Sequence, residues 1–272
     1  MNIHARPPVL IPDLSAFSTA NVLWVKHWNE HLFSFAITRP PSFRFRSGEF
    51  VMLGLPTEGG KPIMRAYSIA SPDYAEELEF LSIKVPDGPL TERLQTIVTG
   101  DQVYLGKKPV GTLVCDALLP GKRLFFFSTG TGLAPFLSLA RDPAVYDMFE
   151  EVVLVHCVRR VSDLAYHDEL AGQLADDPLV ADQAQEQFHY IPTVTREDFR
   201  TTGRIGALIE DGRLFLPPVT GEAALNPETD RIMMCGSMAM IRDLGAMLES
   251  QGFIEGSNSN PGQYVIERAF VD

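Results

Sequence analysis

Pro120-Gly121-Lys122-Arg123-Leu124-Phe125-Phe126-Phe127-Ser128-Thr129-Gly130-Thr131-Gly132-Leu133-Ala134-Pro135 is the stretch on which the architecture turns. A Pro-Gly turn leads into an unbroken apolar run of strand length, a glycine loop follows, and a proline suited to the first turn of a helix closes the segment. A strand that is apolar on both faces belongs in a sheet covered on both sides. The same alternation continues toward the C-terminus, with apolar runs at 123–128, 151–157, 188–192 and 231–235 and helical stretches at 135–141, 164–174 and 237–251. This order predicts a doubly wound parallel sheet, finished by an edge strand or tail over 264–271.

Upstream the rhythm differs. Short alternating runs occupy 22–28, 32–38, 50–55, 66–70, 78–85 and 102–105, separated by turns such as Arg39-Pro40-Pro41 and Ser71-Pro72-Asp73. Such spacing predicts an antiparallel barrel or sandwich, interrupted by one helix over 90–98. The Pro-Gly-Lys segment is the linker, and two domains are expected, residues 1–117 and 118–272.

Composition narrows the function. No apolar run approaches the roughly 18 residues needed to span a bilayer. The N-terminus, with His4, Arg6, Pro7 and Pro8, lacks a secretory pattern, so the expected location is cytoplasmic. A net charge of −12 disfavours nucleic acid and anionic membrane surfaces. The three cysteines, Cys115, Cys157 and Cys235, form neither a disulfide framework nor a CxxC or iron–sulfur pattern, so an electron carrier here would be organic. No metal is expected, because no histidine pair has ligand spacing. His27, His31 and His156 read as structural, and Asp163 with Tyr166-His167-Asp168-Glu169 as the start of an amphipathic helix.

Several segments carry chemistry. Arg65-Ala66-Tyr67-Ser68 lies on a strand whose alternation puts Arg65 and Tyr67 on one face and Ser68 on the other. A flavin site can use a guanidinium for the pyrophosphate, a phenol against the ring and a polar group near N5, although an exposed strand is the plainer reading. Lys84 and Val85 lead through Pro86-Asp87-Gly88-Pro89-Leu90-Thr91 into a helix, whose free amides and Thr91 hydroxyl suit a dinucleotide's phosphates or serve only as a cap. Gly111-Thr112 offers a small residue and a hydroxyl to the ribityl chain or a phosphate.

In the second half, Thr131 and Gly132 belong to a phosphate loop in strand-loop-helix context, but Pro135 replaces the third glycine of the full fingerprint. Where an NAD site would place an acid, the second strand ends in Arg159-Arg160; Thr195-Arg196 and Arg204 follow the next strand. Such arginines can hold a 2′-phosphate, favouring NADP over NAD, or are solvated surface charges. Cys235-Gly236-Ser237 permits close stacking of nicotinamide on flavin, with the Gly-Ser amides free for a polar contact. Cys235 is assigned to positioning, without a covalent role.

With these residues in this order, the chain resembles the bacterial ferredoxin/flavodoxin–NADP reductases from about Thr19 to Asp272, including the closing Glu267-Arg268-Ala269-Phe270. The resemblance implies a six-stranded antiparallel Greek-key β-barrel holding FAD, followed by an α/β domain holding NADP(H). It implies that Arg65 contacts the FAD pyrophosphate, Tyr67 faces the isoalloxazine and Ser68 sits near N5. It also implies phosphate-binding roles for Arg159, Arg196 and Arg204, Ala269 over the flavin, Phe270 against its adenine, and Glu267 on a proton path. The tail Phe270-Val271-Asp272 runs beyond the plant-type end and bears on nicotinamide access.

The expected activity is hydride transfer between nicotinamide C4 and flavin N5, then single-electron exchange between a monomeric enzyme and ferredoxin or flavodoxin. Lys84, Arg93, Lys107 and Lys108 are candidates for a positive docking rim, or scattered solubilising charges. A general NAD(P)H flavin or cytochrome reductase, which a preference for NADH would favour, and a non-catalytic nucleotide-binding module, which would be colourless, are the alternatives.

Overall fold

The computed structural model describes residues 6–85 and 88–267. The upstream alternation forms β1 (Phe17–His27), β2 (Leu32–Thr38), β3 (Phe50–Leu55), β4 (Ile63–Ser68), β5 (Glu77–Ile83) and β6 (Gln102–Gly106), all antiparallel in the order β4-β3-β6-β1-β2-β5. β1 pairs with β6 through its first half and with β2 through its second, and a register irregularity between Val22 and Trp24 lets one strand turn the corner of the curled sheet. The edge strands β4 and β5 meet at a seam. Just beyond β4, the Ala70 N–H donates to the Glu79 carbonyl at 2.8 Å. Tyr67 crosses the same seam, its ring edge-on to Phe80 and its hydroxyl 3.3 Å from Ser82 Oγ.

Phe33, Phe35, Ile37, Leu53, Phe80 and Leu105 fill the barrel at alternate positions. Strand β2 is nonetheless buried on both faces from Leu32 to Ile37. Its outer face is covered by the second half of the chain, and Leu32, Ala70 and Leu81 share one apolar cluster with Leu133, Ala134 and Leu137. The helix expected over 90–98 shrinks to α1 (Thr91–Leu94). The β-branched run Thr96-Ile97-Val98-Thr99 disfavours further helix, and the Val98 N–H is taken by Asp101 instead.

The second half runs β7 (Arg123–Thr129), α2 (Ala134–Ala140), α3 (Pro143–Met148), β8 (Glu151–Val158), α4 (His167–Ala171), α5 (Ala181–Gln187), β9 (Phe188–Val194), α6 (Ile205–Glu210), β10 (Asp230–Cys235), α7 (Met238–Ser250) and β11 (Tyr264–Glu267). Its five strands are parallel in the order β11-β10-β7-β8-β9, as the apolar runs predict. Helices α3, α5 and α6 were not expected; at six or seven residues each, they are too short to show a helical period. The single helix expected over 164–174 is broken. Tyr166 has φ 59°, and Gln173 and Leu174 also take left-handed conformations, so only α4 remains between them.

At the amino edge of this sheet Arg123 donates to both Asp230 oxygens, at 2.8 and 2.6 Å, while the carbonyls of Thr220, Glu222 and Ala224 take its other protons. Among the described residues, no helix is long and apolar enough to cross a membrane and no cluster of three His, Cys, Asp or Glu side chains could hold a metal.

Candidate functional site

Parallel sheets bind ligands at the carboxyl ends of their strands, and here those ends face the barrel seam. A continuous set of neighbours, backbone pairs plus the Glu267 carboxylate, joins the two sides. Ser68 pairs with Phe50, Phe50 bridges to Val110, and the next residue, Gly111, lies against Glu267, which pairs with Cys235. A Cβ on Gly111 would stand 3.3 Å from Glu267 Oε2, and the Thr112 N–H donates to that same oxygen at 3.1 Å. The Thr112 hydroxyl donates to the Ile266 carbonyl at 2.6 Å. Gly111-Thr112 thus clasps the barrel to the C-terminal strand.

On the barrel side, Arg65 is exposed, and among the described residues its guanidinium bonds only the neighbouring Met64 carbonyl, at 2.9 Å. It forms no ion pair among the described residues, so a cation stands ready for an anionic ligand. Tyr67 is almost buried, and burial above all raises its phenol pKa. The Ser68 hydroxyl makes no hydrogen bond among the described residues, leaving it available to a ligand at the seam. Lys84 Nζ turns to the Asn29 carbonyl at 3.3 Å. The Gly88 N–H donates to the Val85 carbonyl at 3.1 Å, and a Cβ on Gly88 would meet Thr91 Oγ1 at 2.2 Å. Pro89 is exposed and Leu90 buried. Ala66 is half-buried on β4. Pro86, Asp87, Ala269 and Phe270 lie outside the described residues.

On the nucleotide side, residues 130–133 form a single 3₁₀ turn between β7 and α2. Gly132 is packed so closely against the β10–α7 turn that a Cβ would lie 2.2 Å from the Cys235 carbonyl oxygen. Gly236 takes φ +149°, and a Cβ there would lie 2.1 Å from Thr129 Oγ1. Both glycines are required by close backbone approach. Cys235 is fully buried, and burial, with Glu267 nearby, pushes its thiol pKa up. A thiol held protonated is a packing group, which fits a positioning role.

One expectation needs correction. The Ser237 amide is not free, because it donates to Thr129 Oγ1 at 2.7 Å, and the Ser237 hydroxyl caps α7 by accepting from Met240 N–H. Thr129, the last residue of β7 just before the glycine loop, therefore joins the candidate site, and that position is its one signal in the sequence.

Arg159, Arg160, Thr195, Arg196 and Arg204 are all exposed on loops at the carboxyl ends of β8 and β9. The Arg196 N–H donates to the Arg159 carbonyl at 3.0 Å, and Gly203, just before Arg204, bonds back to Val194 and Thr193. The fold thus gathers Arg159, Arg196 and Arg204 on one rim, and none of the four arginines forms an ion pair among the described residues. Beneath, His156 is buried with Nδ1 3.2 Å from the Tyr190 hydroxyl, and burial pushes its pKa down to about 4. A cleft of about 500 Å³ lined by Asp211, Phe215, Leu225 and Met247 sits by the C-terminal ends of α6 and α7. That is the amino edge of the sheet, away from this constellation.

Comparison with known proteins gives concordant matches for both halves. Residues 25–114 match the oxidoreductase FAD-binding domain family, and residues 126–245 the oxidoreductase NAD-binding domain family. The chain is 53% identical over 265 residues to the flavodoxin/ferredoxin–NADP reductase of Rhodobacter capsulatus, covering 97% of this chain and 96% of that one. It is 52% identical over 264 residues to the ferredoxin–NADP reductase of Pseudomonas aeruginosa, covering 95% and 100%. Its fold superposes with a TM-score of 0.83 on a ferredoxin NADP+ reductase from Neisseria gonorrhoeae solved with bound FAD and NADP, at 32% identity and covering 94% and 100%.

Proposed function

The chain belongs to the flavodoxin/ferredoxin–NADP reductase family, and we propose that its chemistry takes place where the barrel seam meets the carboxyl edge of the parallel sheet. It is a flavoprotein oxidoreductase that uses FAD and NADP(H) and exchanges electrons with ferredoxin or flavodoxin. FAD, when bound, supplies the step between a two-electron hydride donor and one-electron partners. The observation that carries the placement is the run of neighbours from Ser68 through Phe50, Val110, Gly111 and Glu267 to Cys235, which joins the two halves at one spot.

The donor set fits both cofactors. Arg65, without an acidic partner among the described residues, would take the FAD pyrophosphate together with the Gly88–Thr91 segment; the Ser68 hydroxyl, unpaired among the described residues, would meet the reactive ring edge. Gly132 and Gly236 let the glycine loop and the β10–α7 turn pack backbone to backbone, which brings Cys235 up beside the loop that would hold the nucleotide. Arg196 and Arg204 would bind the 2′-phosphate and Arg159 another nucleotide phosphate. Glu267, which accepts the Thr112 N–H, would join a proton path at the seam.

We divide the chain between Ala117 and Leu118 and place it in the cytoplasm as a monomer that meets its partner transiently. Lys84, Arg93, Lys107 and Lys108 form no ion pair with a described residue in a chain of net charge −12, but Lys84 reaches Asn29 beyond one end of β1 and Lys107 reaches Ser15 beyond the other, so a positive docking rim would draw on only some of them. Anaerobic titration with NADPH, followed by candidate ferredoxins and flavodoxins, tests the reading. The expected result is flavin bleaching by NADPH and reoxidation by the partner; a preference for NADH would refute the 2′-phosphate assignment.

A further inference from the structure

Helix α2 carries the glycine loop at its N-terminus and is tied to the barrel at its middle and its C-terminal end. Its N-terminus continues the glycine loop, and Arg141 is its C-cap. Midway, the buried Ser138 hydroxyl donates to the Ser71 carbonyl at 2.7 Å, three residues beyond Ser68 on the chain leaving β4. At the far end Arg141 donates to Glu79 Oε2 on β5 at 3.0 Å and to Glu169 Oε1 at 2.5 Å. The other Glu79 oxygen accepts the Tyr166 hydroxyl at 2.6 Å, and that hydroxyl also lies 2.6 Å from Ser34 Oγ on β2. Ser34 Oγ in turn accepts the Trp28 indole N–H at 2.8 Å.

Every link in this network crosses, or braces a group that crosses, from the barrel to the α/β half. Tyr166 takes part at φ 59°, a conformation that strains a bulky residue by about 1–2 kcal/mol. Stability alone does not call for such an arrangement, since apolar packing replaces buried ion pairs without loss. The apolar contact around it, Leu32 and Leu81 against Leu133 and Leu137, is non-directional and tolerates sliding. Hydrogen bonds at 2.5–3.0 Å admit one register.

We propose that Tyr166, Glu79 and Arg141, with Ser138, are positioning residues for hydride transfer: they fix α2 against the barrel and so set how closely the glycine loop approaches the strand bearing Tyr67 and Ser68. The inference rests on the seam reading above. Displacements of an ångström at a reacting pair slow the step by up to about a hundredfold without a matching loss of binding. Tyr166→Phe removes one hydroxyl and keeps the ring that packs 4.7 Å from Trp28.

The test is single-turnover flavin reduction by NADPH in Tyr166→Phe and in Ser138→Ala, the latter removing an independent anchor should the former fail to fold. The expected result is FAD content and NADP+ affinity within about twofold of wild type, with hydride transfer slowed about ten- to hundredfold. Reoxidation of photoreduced enzyme by ferricyanide, which does not involve the nucleotide loop, should stay within about twofold. Hydride transfer at the wild-type rate in a folded variant would overturn the proposal, as would equal slowing of both half-reactions. A wild-type flavin that NADPH does not reduce would instead overturn the seam reading, and this proposal with it.

Discussion

Replacing Gly132 by alanine should displace the nucleotide loop by a definable amount. The added Cβ would stand 2.2 Å from the Cys235 carbonyl oxygen, 2.5 Å from its carbon and 2.8 Å from Gly236 Cα, all backbone atoms that cannot rotate away. Real Cβ atoms essentially never approach closer than 3.0 Å, so the loop and the β10–α7 turn must separate by about 0.8 Å. Overpacking of this kind destabilises by about 1–3 kcal/mol, and a shift of that size between reacting groups slows transfer about ten- to hundredfold. Gly245→Ala, on α7 away from the loop, is the control: its Cβ has open space within 4 Å and no left-handed φ. Stopped-flow reduction by NADPH, with FAD content measured alongside, should show Gly132→Ala holding its flavin but reducing slowly and Gly245→Ala reducing near the wild-type rate. Equal rates in the two folded variants would refute the reasoning.

Three further outcomes are expected. Arg196→Ala combined with Arg204→Ala should raise KM for NADPH about ten- to hundredfold, with kcat and all NADH parameters within about twofold; steady-state kinetics with both nucleotides checks this. Asp230→Asn leaves the buried Arg123 charge half-compensated and should lower stability by about 3–5 kcal/mol, whereas Arg123→Met with Asp230→Leu should lose less; urea melts decide. His156 is held down to about 4 against an ordinary 6.5, so only the unfolded chain binds that proton between these values. Its contribution to stability is therefore full above about pH 6.5 and falls by about 2 kcal/mol by pH 5, and His156→Leu should flatten that difference in urea melts at pH 7 and pH 5.

Both sheets were legible because their strands obey different rules. Phe33, Phe35 and Ile37 alternate with residues on an outer face, whereas Leu124 to Phe127 are apolar throughout. What the pattern could not disclose was that the outer face of β2 is also buried, because that burial is supplied by Leu133 and Leu137 from the other half of the chain. Glycine spacing located the loop at Gly130-Thr131-Gly132, but nothing in it identified Thr129 as the acceptor that takes the Ser237 amide. Tyr166 shows the same limit. Read locally it opens an amphipathic helix, and only the tertiary fold reveals a left-handed residue whose hydroxyl reaches Glu79 and Ser34. Side chains that bridge distant segments leave no periodic trace.

The Arg123–Asp230 clasp lies at the amino edge of the parallel sheet, and the arginine loops lie at the opposite rim. On the proposed 2′-phosphate assignment, anchorage and nucleotide choice are thereby uncoupled. If Arg196 and Arg204 hold the 2′-phosphate as proposed, both can be exchanged without disturbing what keeps the sheet folded, so a lineage could drift from one dinucleotide to the other through a few solvent-facing replacements while its scaffold stayed unchanged.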